Sequence, residues 1–168
     1  MPDNDELRIP LLIESLWDEG LADIRAGLGP VLNVHRVLAN HPRLLEAWAP
    51  LRTHVATGGS LSPRFRETII LRVAHRAGSA YEWHHHVLRG RDAGLTDVEI
   101  EAIREASPTG ASDGETALLA ATDELVDALS IGTSTWEALS SEFSEREILD
   151  VIFTVGAYLT LAMVIGSA

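Results

Sequence analysis

Cysteine is absent from the chain. That one absence removes disulfides, thiolate nucleophiles, Cys-ligated zinc and iron–sulfur clusters. Lysine is absent too, since all 13 basic residues are arginine, and a lysine Schiff base is excluded with it. Alternating apolar and polar runs bounded by hairpin turns are missing, so no strand competes with helix anywhere. There is no Gly-rich phosphate loop, no G-x-S-x-G elbow and no H-E-x-x-H.

Positive charge is scarce. The net charge of −12 argues against nucleic acid and anionic membrane surfaces as partners, because both require a basic footprint. The basic residues that exist are segregated. Residues 35–92 hold nine Arg, all seven His and four acids, whereas 97–150 hold two Arg and fourteen acids. This asymmetry fits two solvated faces of opposite sign, or an Arg/His segment lining a site for an anionic small molecule. The N-terminal stretch is acidic and lacks the apolar core of a secretory signal, so a cytoplasmic location is expected. Val151–Ala168 carries no charge. It is barely long enough to span a bilayer, has no basic flank, and contains Thr154, Gly156 and Thr160, so it is expected to be a buried helix at a core or subunit contact, not a membrane anchor.

With 168 residues the chain is expected to form a single domain over 1–168, with 1–20 an extended lead-in. Short helices are expected at Leu21–Leu28 and Asn33–Ala39, and a longer one at Pro42–Ala56. Ser62-Pro63 is a strong helix start, Ser as N-cap and Pro at the first position, for a helix to about Ala77. A second helix follows from Ala80 to Ala93, stopped by Gly94. Thr96 and Glu99 form a capping box for a helix to about Glu105. Ser107–Gly114 reads as loop, Glu115–Leu129 as an amphipathic helix, Ser134–Leu139 as a short helix capped by Ser134 and Glu137, and Ser144/Glu147 as the cap of a closing helix. The fold class is all-α.

The unusual chemistry lies between Glu67 and Leu95. Glu67 falls at the edge of an apolar helical arc, where a carboxylate must be paired or titrate high; a structural pair with an Arg is the plain alternative. Glu82 and His86 are one turn apart on one helix face, where a carboxylate could orient an imidazole for proton transfer near neutral pH, or the two could form an ordinary surface pair. Three consecutive histidines cannot share a face, so His84 points away while His85 stays near. Tyr81 and Trp83 could wall a pocket or simply pack. A divalent metal on Glu67, Glu82 and His86 is a weaker alternative, since the paired Glu-x-x-His spacing of di-iron bundles is missing.

Leu61-Ser62-Pro63-Arg64, Glu67 through Ala74, Tyr81-Glu82-Trp83, His86 and Ala93-Gly94-Leu95-Thr96 together resemble the carboxymuconolactone decarboxylase family of the alkylhydroperoxidase D-like superfamily. Asn40-His41-Pro42 and Ala121 through Leu125 extend the resemblance. In the peroxidase branch of that superfamily two redox cysteines precede a histidine. Laid on this sequence those cysteines fall on Ser79 and Glu82, the histidine on His86 and an upstream glutamate on Glu67. The resemblance thus implies a compact helical subunit that assembles as a trimer or hexamer, a branch without the Cys-x-x-Cys motif, and no thiol peroxidase chemistry. It implies a lyase or proton-transfer enzyme needing no cofactor and no metal, acting on a small carboxylated lactone or related acid. The expected catalytic residues are Glu67, Glu82 and His86, with His86 the general acid–base group, Glu82 orienting it, and Glu67 a second proton relay or its orienter. The expected substrate-binding residues are Tyr81, Trp83, His85, Arg72 and Arg89. A non-catalytic binding or structural oligomer of the same fold is the alternative.

Overall fold

A computed structural model describes residues 7–105 and 109–168. Within them the regular structure is helix, and no strand occurs among the described residues. It divides into two compact units, residues 1–54 with 163–168, and residues 55–162.

The smaller unit begins with single 3₁₀ turns at Glu14–Leu16 and Glu19–Leu21, followed by α1 (Ala22–Gly27), α2 (Asn33–Leu38) and α3 (Pro42–Thr53). The lead-in is thus partly coiled where extended chain was expected. Of its apolar side chains Trp17 is buried, with its indole N–H donating to Leu12 O at 3.0 Å, while Ile13 and Leu16 face solvent. His41 supplies the N-cap of α3 through Nδ1, and Pro42 occupies the first position. A π-helical turn, His54–Gly58, follows α3 in place of the regular helix expected to Ala56.

The larger unit is built on α4 (Pro63–Arg76). The Ser62 hydroxyl accepts from Phe65 N at 3.2 Å, as the Ser-Pro signal indicates. From Glu67 to Ala74 every residue is buried, so the helix is enclosed on all sides and not merely amphipathic. It packs on α5 (Ala80–Asp92) and α7 (Asp113–Ala128). One core gathers Ile69, Ile70 and Val73 with Leu118, Leu139, Ile148 and Val151; a second gathers Leu71, Leu95, Ile100, Ile103 and Leu119.

Polar residues on an enclosed helix must find partners. The Thr68 hydroxyl donates to Arg64 O at 3.0 Å. Arg72 makes a fork to Asp123 of α7 (Nε to Oδ1 2.7 Å, Nη2 to Oδ2 2.5 Å) and also donates to the carbonyls of Ile103 and Glu105. It therefore pins α4 to α7 and to the end of α6 (Asp97–Ala102).

Other boundaries follow local chemistry with two exceptions. The capping boxes at Thr96/Glu99 and Ser144/Glu147 form as read. A further box, Ser112/Glu115, starts α7 two residues before the expected point; the rest of the expected loop includes residues outside the described set. Ser134 does not cap α8 (Thr133–Glu142). Glu124 of α7 accepts from Gly132 N (2.7 Å) and from the Thr135 hydroxyl (2.6 Å), and this tertiary grip moves the helix start back to Thr133. The final helix, α9 (Glu145–Ser167), is long and apolar enough by composition to cross a membrane. Ile148, Val151, Val155 and Tyr158 nevertheless turn into the core, while Leu149 and Phe153 remain exposed. The expectation of a buried helix holds for one face only.

Two stability tests follow. Arg72→Ala would leave Asp123 with Arg76 as its remaining cation and two carbonyls without their donor, and is expected to cost about 3 kcal/mol in urea unfolding. Leu129 ends α7 in the left-handed region, at φ 58°, with its side chain exposed. Leu129→Gly relieves that conformation and is expected to gain about 1 kcal/mol.

Candidate functional site

Gly78, at φ +65°, ends α4 and allows the chain to reverse into α5. Ser79 then caps α5, its Oγ accepting from Glu82 N at 3.4 Å. The buried residues of α5 are Glu82, His86 and Gly90, spaced at four. Gly90 permits close packing: a Cβ there would lie 3.2 Å from Leu95 Cδ1 and 3.4 Å from Leu71 Cδ1. The inner face of α5 thus sits tightly on α4, and brings His86 to Glu67.

His86 Nδ1 and Glu67 Oε2 are 2.6 Å apart, with both side chains buried. Arg89 Nη1 lies 3.5 Å from His86 Nε2. A guanidinium only donates, so Nε2 is the accepting nitrogen, and a neutral ring carries its proton on Nδ1, donated to Glu67. The Tyr158 ring of α9 meets the imidazole edge-on, with centroids 5.0 Å apart. Arg66 Nε stands 3.6 Å from Glu67 Oε1, buried and without a hydrogen-bond partner. Burial is the main cause that pushes His86 below its ordinary value. The Glu67 contact acts against it, and the charges of Arg89 and Arg66 add to it. The result is a neutral imidazole with one nitrogen oriented by a carboxylate and the other an acceptor that Arg89 meets at 3.5 Å.

Glu82 is also buried, but neither carboxyl oxygen meets a hydrogen-bond partner. Burial raises its pKa to about 7, and the nearby Ser79 hydroxyl opposes this only in part. The orienting carboxylate of His86 is therefore Glu67, and not Glu82 as the helical spacing indicated. An i, i+4 interval places two residues on a face without joining their side chains.

The other expected residues separate. Arg72 is committed to Asp123 and the two carbonyls, which removes it as a carboxylate holder. Trp83 turns away from the Glu67–His86 pair and packs beside the second core: the Arg104 guanidinium lies 3.8 Å over its ring and His75 packs at 6.3 Å. Tyr81 and His85 stack on each other at 4.6 Å, and His85 in turn touches His84 at 5.7 Å, while His84 itself is exposed. Arg89 does reach the histidine. Arg66 and Tyr158 were not anticipated. Arg66 adjoins Glu67 in sequence but gives no periodic signal, and Tyr158 lies seventy-two positions after His86. Among the described residues, no three His, Asp or Glu side chains are grouped to hold a metal ion. A cavity of about 70 Å3 between α4, α6 and α7, with Thr68, Ile103 and Leu119 in its wall, includes none of these residues.

Residues 42–124 match the Carboxymuconolactone decarboxylase family. That match, over just under half of the chain, agrees with the resemblance read from the sequence. The segment contains α4 and α5 whole, and so every polar residue of the site; Tyr158 alone comes from outside it. Two solved structures share the fold. One is a protein of unknown function from Agrobacterium tumefaciens, with a suggested role in antioxidant defence as AhpD: 25% identity, TM-score 0.70, covering 77% of this chain and 91% of that one. The other is an uncharacterized peroxidase-related protein from Silicibacter sp. TM1040: 20% identity, TM-score 0.77, covering 95% and 87%. No curated protein matches the sequence. The all-α, AhpD-like architecture read from the sequence is thus the observed one.

The titration of Glu82 gives a test. An unfolded carboxyl loses its proton near its ordinary value of 4.5, whereas the folded one keeps it to about 7. The native state then binds more protons across that window, and stability falls as pH rises through it. The wild type is expected to lose about 3 kcal/mol relative to Glu82→Gln between these limits, in parallel urea titrations. Subtracting the variant removes the opposite contribution of His86, whose depressed pKa lowers stability as pH falls.

Proposed function

We propose that this site is a cofactor-free acid–base centre acting on a small carboxylated lactone or related acid, and that its reaction is decarboxylation or a kindred proton transfer. The observation that carries the reading is the buried Glu67–His86 pair, with Nε2 left as an acceptor beside Arg89. Arg89 and Arg66 are the cations available to a substrate carboxylate, and Arg66 has a buried N–H to offer. In decarboxylation the bond to the carboxyl carbon breaks, carbon dioxide leaves, and the electron pair passes into a conjugated carbonyl as an enolate. Carbon must then take a proton. His86, charged at Nε2 from solvent, can deliver it, with Glu67 stabilising the imidazolium in the interval. The depressed pKa of His86 makes that imidazolium a ready donor.

Thiol-dependent peroxide reduction is a poor fit, whatever role the Agrobacterium protein has, because the chain has no cysteine. The neutral, acceptor-bearing histidine favours proton transfer in its place. Assembly into a homo-oligomer belongs to the same proposal. The exposed Leu149 and Phe153 of α9 supply an apolar face for it, and light scattering of the purified chain reports the state.

Glu67→Gln and His86→Ala are each expected to lower carbon dioxide release from carboxymuconolactone, or from the most active member of a panel of small carboxylated lactones and keto acids, by about 10²-fold or more. Far-UV circular dichroism should be unchanged. Full turnover by both variants contradicts the assignment.

A further inference from the structure

Glu82 is the one buried carboxyl group of the site with no ion-pair partner, and the polar group that acts on it is the neighbouring Ser79 hydroxyl. Glu67 has His86 and Arg66. Asp123, partly buried, has Arg72 and Arg76. Glu82 is about as buried as Glu67, at 3% against 4% exposed, yet both of its oxygens are unsatisfied among the described residues. A buried anion without a donor is among the costliest arrangements a fold can carry. The neutral acid is far cheaper, and its O–H then lacks only an acceptor. The four-residue interval puts Cβ of Glu82 about 5–6 Å from that of His86, on the same inner face of α5.

The face therefore carries two groups of opposite polarity one turn apart: an accepting nitrogen on His86 and, on Glu82, a carboxyl hydroxyl that makes no hydrogen bond among the described residues. We infer that Glu82 works as a neutral carboxylic acid whose O–H donates to the carbonyl or enolate oxygen of the bound molecule, while His86 exchanges a proton at the neighbouring atom. This role differs from orienting His86, which Glu67 already does. It also narrows the ligand class to compounds with a carbonyl oxygen adjacent to the proton-exchanging atom. A neutral donor of this kind stabilises negative charge as it develops on oxygen, and does so without placing a second anion beside a departing carboxylate. The inference rests on the acid–base reading of the site, but it concerns a different residue and is measured without turnover.

Two measurements on the intact chain test it. Infrared difference spectra between wild type and Glu82→Gln, at about pH 6 and so below the value near 7, should show a neutral carboxyl C=O band lost in the variant. The second uses 4-nitrophenol, an enolate mimic whose visible band reports its binding. Wild type and Glu82→Gln, which keeps a donor, should both bind it. Glu82→Leu should bind about tenfold more weakly, the 1.4 kcal/mol of one lost hydrogen bond. Glu82→Leu exchanges an unpaired polar group for an apolar one, so its melting temperature should not fall, and Glu82→Gln repeats the comparison with an isosteric side chain. No neutral carboxyl band, no binding of the probe by wild type, or equal binding by wild type and Glu82→Leu overturns the inference. Failure of every lactone and acid substrate, with band and probe binding as expected, would sink the decarboxylation reading and leave the donor role standing.

Discussion

The enclosure of α4 is the constraint on which the larger unit depends. Eight consecutive buried residues cannot all be apolar here, because the run includes Glu67, Thr68 and Arg72. Each must be satisfied from within the unit or it destabilises the fold. Thr68 bonds back to its own helix. Arg72 reaches α7 and two carbonyls near α6. Glu67 reaches His86 on α5. One polar contact is thereby structural and another chemical, by the same rule. The same enclosure buries the Glu67–His86 hydrogen bond, which strengthens it and favours the neutral imidazole.

The site then divides labour between two glutamates. Glu67 is paired, and in the proposed reading it fixes the proton on Nδ1 and leaves Nε2 to accept. Glu82 has no ion-pair partner, burial raises its pKa to about 7, and in the inference drawn above its neutral form supplies a donor. Two carboxyl groups with different surroundings thus serve different purposes, as expected wherever environment pushes like groups apart. The cost is stability, since a buried unpaired acid weakens the fold as pH rises. Folds tolerate such a group where it serves a ligand.

Much of this was legible in the sequence. Capping signals at Ser62, Thr96 and Ser144, with Gly78 and Gly94, locate α4, α5, α6 and α9 closely, because those signals are local chemistry. Glu67 could be seen to need a partner from its place on the apolar arc, and the resemblance brought it together with His86. What could not be read was which side chain meets which. Glu82 and His86 share a face by spacing, yet the bond to His86 comes from the neighbouring helix. Arg72 looked like a free cation because Asp123 lies fifty-one residues away. Trp83 looked like a pocket wall because one residue separates it from Glu82, and a helix turns by about 100° over that step. Position along one helix is periodic, whereas pairing between helices depends on packing.

Acid–base chemistry at this site depends on the protonation of one ring. Long-range 15N–1H correlation spectra of the His86 imidazole, assigned against His86→Ala, report which nitrogen carries the proton and where the ring titrates. The expected result at neutral pH is a proton on Nδ1, a bare Nε2, and a pKa below the ordinary histidine value of 6.5, with the tautomer preference weakened in Glu67→Gln. A proton on Nε2 alone, or a ring still charged at neutral pH, would contradict the site as described.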